Sequence, residues 1–201
     1  GEVLDRISQL EIKNYSISAL VVNDGSNDST KAIAVDKGVQ VVTHGQNRGV
    51  GAAFQSGVKE AITQGVDILV NIDSDGQFDP KHIPSLLEPI ITEKVDFVTA
   101  SRFLNDRKID MPIIKRWGNR QIAKIVSRLS DQKIHDVSCG FRAYARKAFL
   151  HLSLIGNFTY THEVILTLAF KGFVIKEVYV PVRGTREFGE SRVASSLFKY
   201  A

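Results

Sequence analysis

The stretch Val66–Pro80, VDILVNIDSDGQFDP, concentrates the side chains of this chain best suited to chemistry. Asp73 and Asp75 stand two apart, directly after an apolar, β-branched run from Val66 to Ile72. That run reads as a short strand buried on both faces. Side-chain direction repeats every second residue along a strand, so two carboxylates at its end can point the same way. Two hard oxygen donors at the open end of a parallel sheet suit a divalent cation that keeps positions free for a substrate's phosphates. The competing reading is an acidic turn that only caps the next helix, a common use of Asp. Asp79-Pro80 marks that helix start, as N-cap and first helical position.

The elements needed to hold such a pair are legible on both sides. Upstream, Val3, Leu4, Ile7 and Leu10 have helical spacing, and Ile17–Val22 reads as a buried strand ending in the turn Asn23-Asp24-Gly25-Ser26. Asn27 or Asp28 caps a helix running to about Lys37, and Val39–Thr43 is the next strand. After a loop rich in Gly, Asn and Arg (residues 44–50), Gly51–Gln64 carries an amphipathic apolar stripe that Gly65 stops. Downstream, Ile83, Leu86, Leu87, Ile90 and Ile91 form another helical stripe, with Pro84 in its first turn and Pro89 expected to kink or shorten it. Val95–Ser101 is a strand ending at Arg102, and Phe103–Pro112 is polar and irregular. Ile114–Leu129 is helical in pattern, with Arg116, Arg120, Lys124 and Arg128 along one face. Trp117 on that helix either meets a lipid chain or closes the core, and the core is the expected place. Thr161–Lys171 is a further helix and Val174–Val182 a final strand. Strands alternating with helices argue for one α/β domain, residues 1–201, built on a mostly parallel sheet with helices on its faces.

With 43% hydrophobic and 24% charged residues, the 201-residue chain supports one globular core. Its most apolar long segment, Val164–Val182, is broken by Lys171, Gly172, Lys176 and Glu177, so no membrane span is read there. No signal-peptide pattern opens the sequence. The single cysteine, Cys139, leaves no internal disulfide framework, and the five histidines show no zinc-like pairing with cysteine. A net charge of +4 biases the surface mildly towards anionic partners.

With these pieces in place, the chain resembles the family 2 glycosyltransferases of the GT-A fold, and among them the dolichol-phosphate mannose synthase and polyprenyl-phosphate glycosyltransferase group. Six motifs in order carry the likeness: VVNDGSNDST (Val21–Thr30), NRGVGAAFQSG (Asn47–Gly57), DSDGQFDP (Asp73–Pro80), ASRF (Ala100–Phe103), DVSCGFRAY (Asp136–Tyr144) and REFGESR (Arg186–Arg192). The resemblance implies a nucleotide-sugar donor. Asp24 then meets base or ribose donors, Gly25 allows close backbone approach, and Asn47, Arg48 and Gly49 line the nucleotide side. It implies Mg²⁺ or Mn²⁺ held by Asp73, Asp75 and Gln77, with Asp75 the firmest ligand and Asp73 towards the sugar. Arg102, Arg120 and Arg186 become candidates for gripping an acceptor's phosphate, and Asp136 contacts the donor sugar or forms a structural turn. Glu163, in an apolar helix, is expected to pair with an arginine.

The implied reaction inverts the sugar's anomeric carbon by in-line displacement, with mannose from GDP-mannose or glucose from UDP-glucose passing to a polyprenyl phosphate. A lipid phosphate is already ionised at neutral pH and needs no general base, and no base is evident in the sequence. The rival readings are a transferase acting on a sugar hydroxyl, and a nucleotide-sugar-binding module without catalysis. The resemblance places the protein at the cytoplasmic face of a membrane surface, with no nucleic-acid partner. One departure stands out. The group opens with a strand and a nucleotide-binding turn, whereas this chain starts in the following helix, so the expected sheet lacks its first strand.

Overall fold

The computed structural model describes residues 1–105, 113–154 and 160–183. Among these the elements run α1 (Glu2–Ser8), β1 (Leu20–Asn23), α2 (Thr30–Asp36), β2 (Gln40–Thr43), α3 (Val50–Gln64) and β3 (Ile68–Asn71). A 3₁₀ turn (Pro80–His82) leads into α4 (Ile83–Thr92), β4 (Phe97–Ser101) and α5 (Ile113–Ser130). The chain then forms β5 (Arg142–Ala145), α6 (Arg146–Phe149), α7 (Thr161–Phe170) and β6 (Ile175–Tyr179).

Helix boundaries follow the punctuation in the sequence. Gly65 closes α3 in the left-handed conformation, with φ 71°. The Asp79 carboxylate caps the 3₁₀ turn by accepting from the Lys81 amide at 3.1 Å, and Pro80 takes the first position. Asp28 receives the Thr30 amide at 3.0 Å ahead of α2. Pro89 does not end α4, which continues to Thr92.

Two sheets result. β1 pairs in parallel with β2, and a four-stranded sheet has the order β3-β5-β4-β6. In the larger sheet β4 and β6 are parallel, while β5 runs antiparallel to both neighbours, a reversal that strand–helix alternation does not reveal. Among the described residues no strand pairs with the second edge of β1 or of β3. β3 is accordingly half-buried along its length instead of enclosed on both faces. Helix α3 spans the two sheets. Its Phe54 and Val58 pack with Leu69 of β3, and Gly57 approaches Val22 of β1.

Alternation along the strands feeds two cores. On one face Phe97 and Tyr144 join Phe54 and Val58 of α3, Ala123 and Val126 of α5, and Val164, Ile165 and Leu168 of α7. On the other, Val98, Ala100, Phe141 and Ala143 pack against Ile83, Leu86 and Leu87 of α4. With both faces covered, the strand ends remain as the place where polar side chains can converge.

Candidate active site

The carboxyl ends of β3 and β4 open on the same side, because both run antiparallel to β5, and the reversed β5 brings its entry segment there too. Asn71 of β3 stands opposite Arg142 of β5. Carried two residues further, that register sets Asp73 opposite Gly140. The proximity is tight: a Cβ built on Gly140 would lie 2.9 Å from Asp73 Oδ2 and 3.2 Å from Oδ1. Asn71 fastens the same segment, donating to Gly140 O at 2.7 Å and to the Tyr160 hydroxyl at 2.9 Å. Asp73 is exposed and Asp75 half-buried, with Asp75 Oδ1 receiving the Gln77 amide at 3.0 Å.

Among the described residues no group of three or more His, Cys, Asp and Glu could hold a metal ion. The donors at the strand end are two carboxylates and the Gln77 amide. That hard, incomplete oxygen set fits a cation such as Mg²⁺ or Mn²⁺ drawing its other ligands from water and phosphate. Gly140, with no Cβ, leaves room for the Asp73 carboxylate.

The β1 side is organised by Asp24. Its Oδ1 accepts from His44 Nδ1 at 2.7 Å and from the Arg48 amide at 2.9 Å, and its Oδ2 from the Gly49 amide at 2.8 Å. Burial opposes the charge on Asp24, but the hydrogen bonds from His44, Arg48 and Gly49 outweigh it and hold the pKa below the ordinary carboxylate value. Gly25, at φ 69°, lets the turn meet the next loop, because a Cβ there would sit 2.6 Å from the Asn47 amide nitrogen. Asn47 and Arg48 are exposed beside it. An open groove of about 680 Å³ runs along this side, lined by Asn23, Gly25, Asp28, Lys31, Thr43 and His44 among others.

At the end of β4, Arg102 meets Asp136 in a forked ion pair. Nε donates to Oδ2 at 2.6 Å and Nη2 to Oδ1 at 2.8 Å, while Nη2 also reaches Ser138 Oγ at 2.7 Å. Burial disfavours the guanidinium charge, but Asp136 more than restores it and raises the pKa. Asp136 is wholly buried, so the structure makes it the holder of Arg102 and does not present it to a sugar. Two of the three Arg102 nitrogens are therefore committed within the protein. Glu177 of β6 accepts the amides of His135 and Asp136, each at 2.9 Å, and steadies the segment from below. Arg120 stands on the exposed basic face of α5. Arg186 and its loop lie outside the described residues.

Two expectations are corrected or extended here. Trp117 does not close the core. It is 63% exposed on α5, whose inward face is filled by Asn119, Ala123, Val126 and Ser130. Arg142 was not singled out, yet it is fully buried and donates to the carbonyls of Cys139 (2.8 Å), Thr161 (2.9 Å) and Val137 (3.2 Å). One guanidinium thus ties the Asp136–Gly140 segment to the start of α7. Its motif, DVSCGFRAY, was visible, but the role depends on contacts distant in sequence. His44 also escaped notice, since nothing local marks it.

A sheet of this topology, with helices on both faces, is that of the GT-A fold. A solved structure shares that fold: glucosyl-3-phosphoglycerate synthase of Mycobacterium tuberculosis, in complex with Mn²⁺, UDP-glucose and phosphoglyceric acid. It aligns with a TM-score of 0.73 and 21% identity over 97% of this chain and 68% of its own. The family model described as Glycosyl transferase family 2 matches residues 1–152, and the chain belongs to that family. Among its relatives is the UDP-N-acetylglucosamine–dolichyl-phosphate N-acetylglucosaminyltransferase of Methanococcus voltae, 32% identical over 73% of this chain and 65% of that protein. Another is the polyprenol monophosphomannose synthase of Mycolicibacterium smegmatis, 29% identical over 92% of this chain and 73% of that protein.

Proposed function

We propose that the protein moves a hexose from a nucleoside-diphosphate donor onto the phosphate of a polyprenyl or dolichyl phosphate at a membrane surface. The observation that carries this reading is the outer face of α5. Ile114, Trp117, Ile122, Ile125 and Leu129 are all exposed there. At the helical turn angle these five positions fall within an arc of about 140°. Arg116, Arg120, Lys124 and Arg128 are exposed too and span an arc of about 120° that overlaps the apolar one at Trp117, which falls between Lys124 and Arg128. The helix carries five basic residues and no acidic one. An apolar strip with a tryptophan, edged by cations, suits the interface of an anionic bilayer, where a lipid-borne phosphate resides. Among the described residues no helix is long and apolar enough to cross a membrane. The names of the two relatives, one acting on dolichyl phosphate and one on polyprenol, support the same acceptor class.

In this reading the groove beside Asp24, Gly25, Asn47, Arg48 and Gly49 receives the nucleotide. A divalent cation, Mg²⁺ or Mn²⁺, held by Asp75 and Asp73 with Gln77 nearby, supplies charge that offsets build-up on the departing diphosphate. Arg102, fixed by Asp136, directs its remaining edge towards the acceptor phosphate, with Arg120 and Arg186 as further cations. The ionised acceptor attacks in line without a general base. GDP-mannose and UDP-glucose are the first donors to try. Incubation with each, a divalent cation and a short polyprenyl phosphate in anionic vesicles yields a lipid-linked sugar. Trp117→Asp slows that reaction while sparing transfer to a detergent-free, water-soluble short-chain acceptor. Absence of product with every common donor, or transfer only to sugar hydroxyls, overturns the proposal.

A further inference from the structure

Asp24 holds the Arg48 and Gly49 amides, but those donors belong to the loop that Asp24 itself must keep in place. An aspartate has several side-chain rotamers open to it at a strand end. An anchor from elsewhere is needed to select one, and His44 supplies it. Its own amide donates to Asn23 O at 2.9 Å, and its ring is buried between β1 and α3. Nδ1 meets Asp24 Oδ1 at 2.7 Å, and Nε2 meets Ser56 Oγ of α3 at 2.8 Å. An ionised carboxylate only accepts, so Nδ1 carries the hydrogen. In the neutral ring Nε2 then accepts from the Ser56 hydroxyl. The chain Ser56–His44–Asp24 runs from the middle of a rigid helix to the turn after β1. Ser56 lies in the middle of α3 (Val50–Gln64), so the bracing of the Asp24 carboxylate starts from a rigid element.

We infer that His44, braced by Ser56, is a positioning residue that presents Asp24 to the donor nucleotide in a single orientation. The inference rests on the reading of this groove as the nucleotide site. A carboxylate offers about four acceptor positions. Three are filled within the protein, which leaves one on Oδ2 for a ligand N–H or O–H. Without His44 the carboxylate regains its other rotamers, and a ligand must bear the cost of selecting the right one.

The test exploits the difference between the two ring nitrogens. In His44→Asn the amide nitrogen takes the place of Nδ1 and still donates to Asp24. In His44→Gln it takes the place of Nε2, keeping Ser56 and losing Asp24. Binding of UDP and of GDP is measured by calorimetry with Mn²⁺ present, together with donor KM and kcat. We expect H44Q to weaken binding of the preferred nucleotide about 10-fold or more, in line with loss of a hydrogen bond to a charged group, and H44N to stay within about 3-fold. In both, kcat at saturating donor changes less than the donor KM. Ser56→Ala weakens binding by a smaller factor in the wild-type background and by none in H44Q, where the link to Asp24 is already cut. A role in filling space ranks the variants the other way, because Gln matches the volume of His better than Asn does. Equal binding by H44N and H44Q, or tighter binding by H44Q, overturns the inference while the nucleotide site stands. Should H44Q not fold, the inference is decided on S56A and H44N, and an unchanged S56A overturns it. If the wild type binds neither UDP nor GDP, the functional reading falls and this inference falls with it.

Discussion

Gly140→Ala is the smallest change that reaches the carboxylates of the proposed metal site without removing a charge. Gly140 does not have positive φ, so alanine suits its backbone and the effect is steric. The new methyl would stand 2.9 Å from Asp73 Oδ2, about 0.5 Å inside the 3.4 Å at which ordinary contact begins. Asp73 ends in a short, exposed side chain, so we expect the protein to lose less than about 1 kcal/mol, a shift of under about 4 °C in Tm for a chain of this size. Activity is less forgiving. A misplacement of about 1 Å at a reacting centre costs on the order of 100-fold, so half that distance predicts about a 10-fold fall in kcat/KM. The assay is release of nucleoside diphosphate during sugar transfer, run beside thermal melting and Mn²⁺-dependent nucleotide binding. Transfer within 2-fold of wild type would refute the claim that Gly140 sets the position of Asp73. A fall in activity accompanied by a large drop in Tm would attribute the effect to packing instead.

Breaking the Arg102–Asp136 pair by Asp136→Ala strands a guanidinium that is only 14% exposed, and urea unfolding should show a loss of roughly 3–5 kcal/mol. Gly25→Ala combines a disfavoured φ with a backbone clash at Asn47, so we expect about 1–3 kcal/mol of destabilisation and weaker nucleotide binding, read by melting and calorimetry. Asp24 has a folded pKa below its ordinary 3.8, so its ionised form stabilises the fold above that value. The stability gap between wild type and Asp24→Asn should therefore hold steady at higher pH and close as pH falls from 3.8 through the lowered pKa, a pattern followed by urea titration at stepped pH. A gap that widens on acidification would contradict the assignment.

Much of this was legible in the chain because local chemistry encodes it. Gly65, Asp79-Pro80 and the apolar stripes of α3, α4 and α5 mark their own boundaries. The Asp73–Asp75 spacing marks a strand end, and the order of motifs carried the family. What escaped was chemistry between distant residues. The reversal of β5 depends on pairing Arg142 with residues 71 and 99, which no local period records. For the same reason the sequence did not show that Arg102 and Asp136 are each other's partner across 34 positions. Trp117 was misjudged because size and apolarity argue for the interior. The interior face of α5 is instead made of small and polar residues, and the large apolar ones are turned outward.

Cys139 lies between the buried Asp136 and Gly140, and it is the chain's sole thiol. It is 1% exposed, and burial pushes its pKa up to about 12. In the native protein it is shielded from alkylating reagents and almost wholly protonated, hence unreactive. Its labelling rate becomes a clock for the opening of the very segment that clamps Arg102 and abuts Asp73, with no engineered probe required. Bound nucleotide should slow that clock if the segment and the donor site breathe together, and leave it unchanged if they open independently.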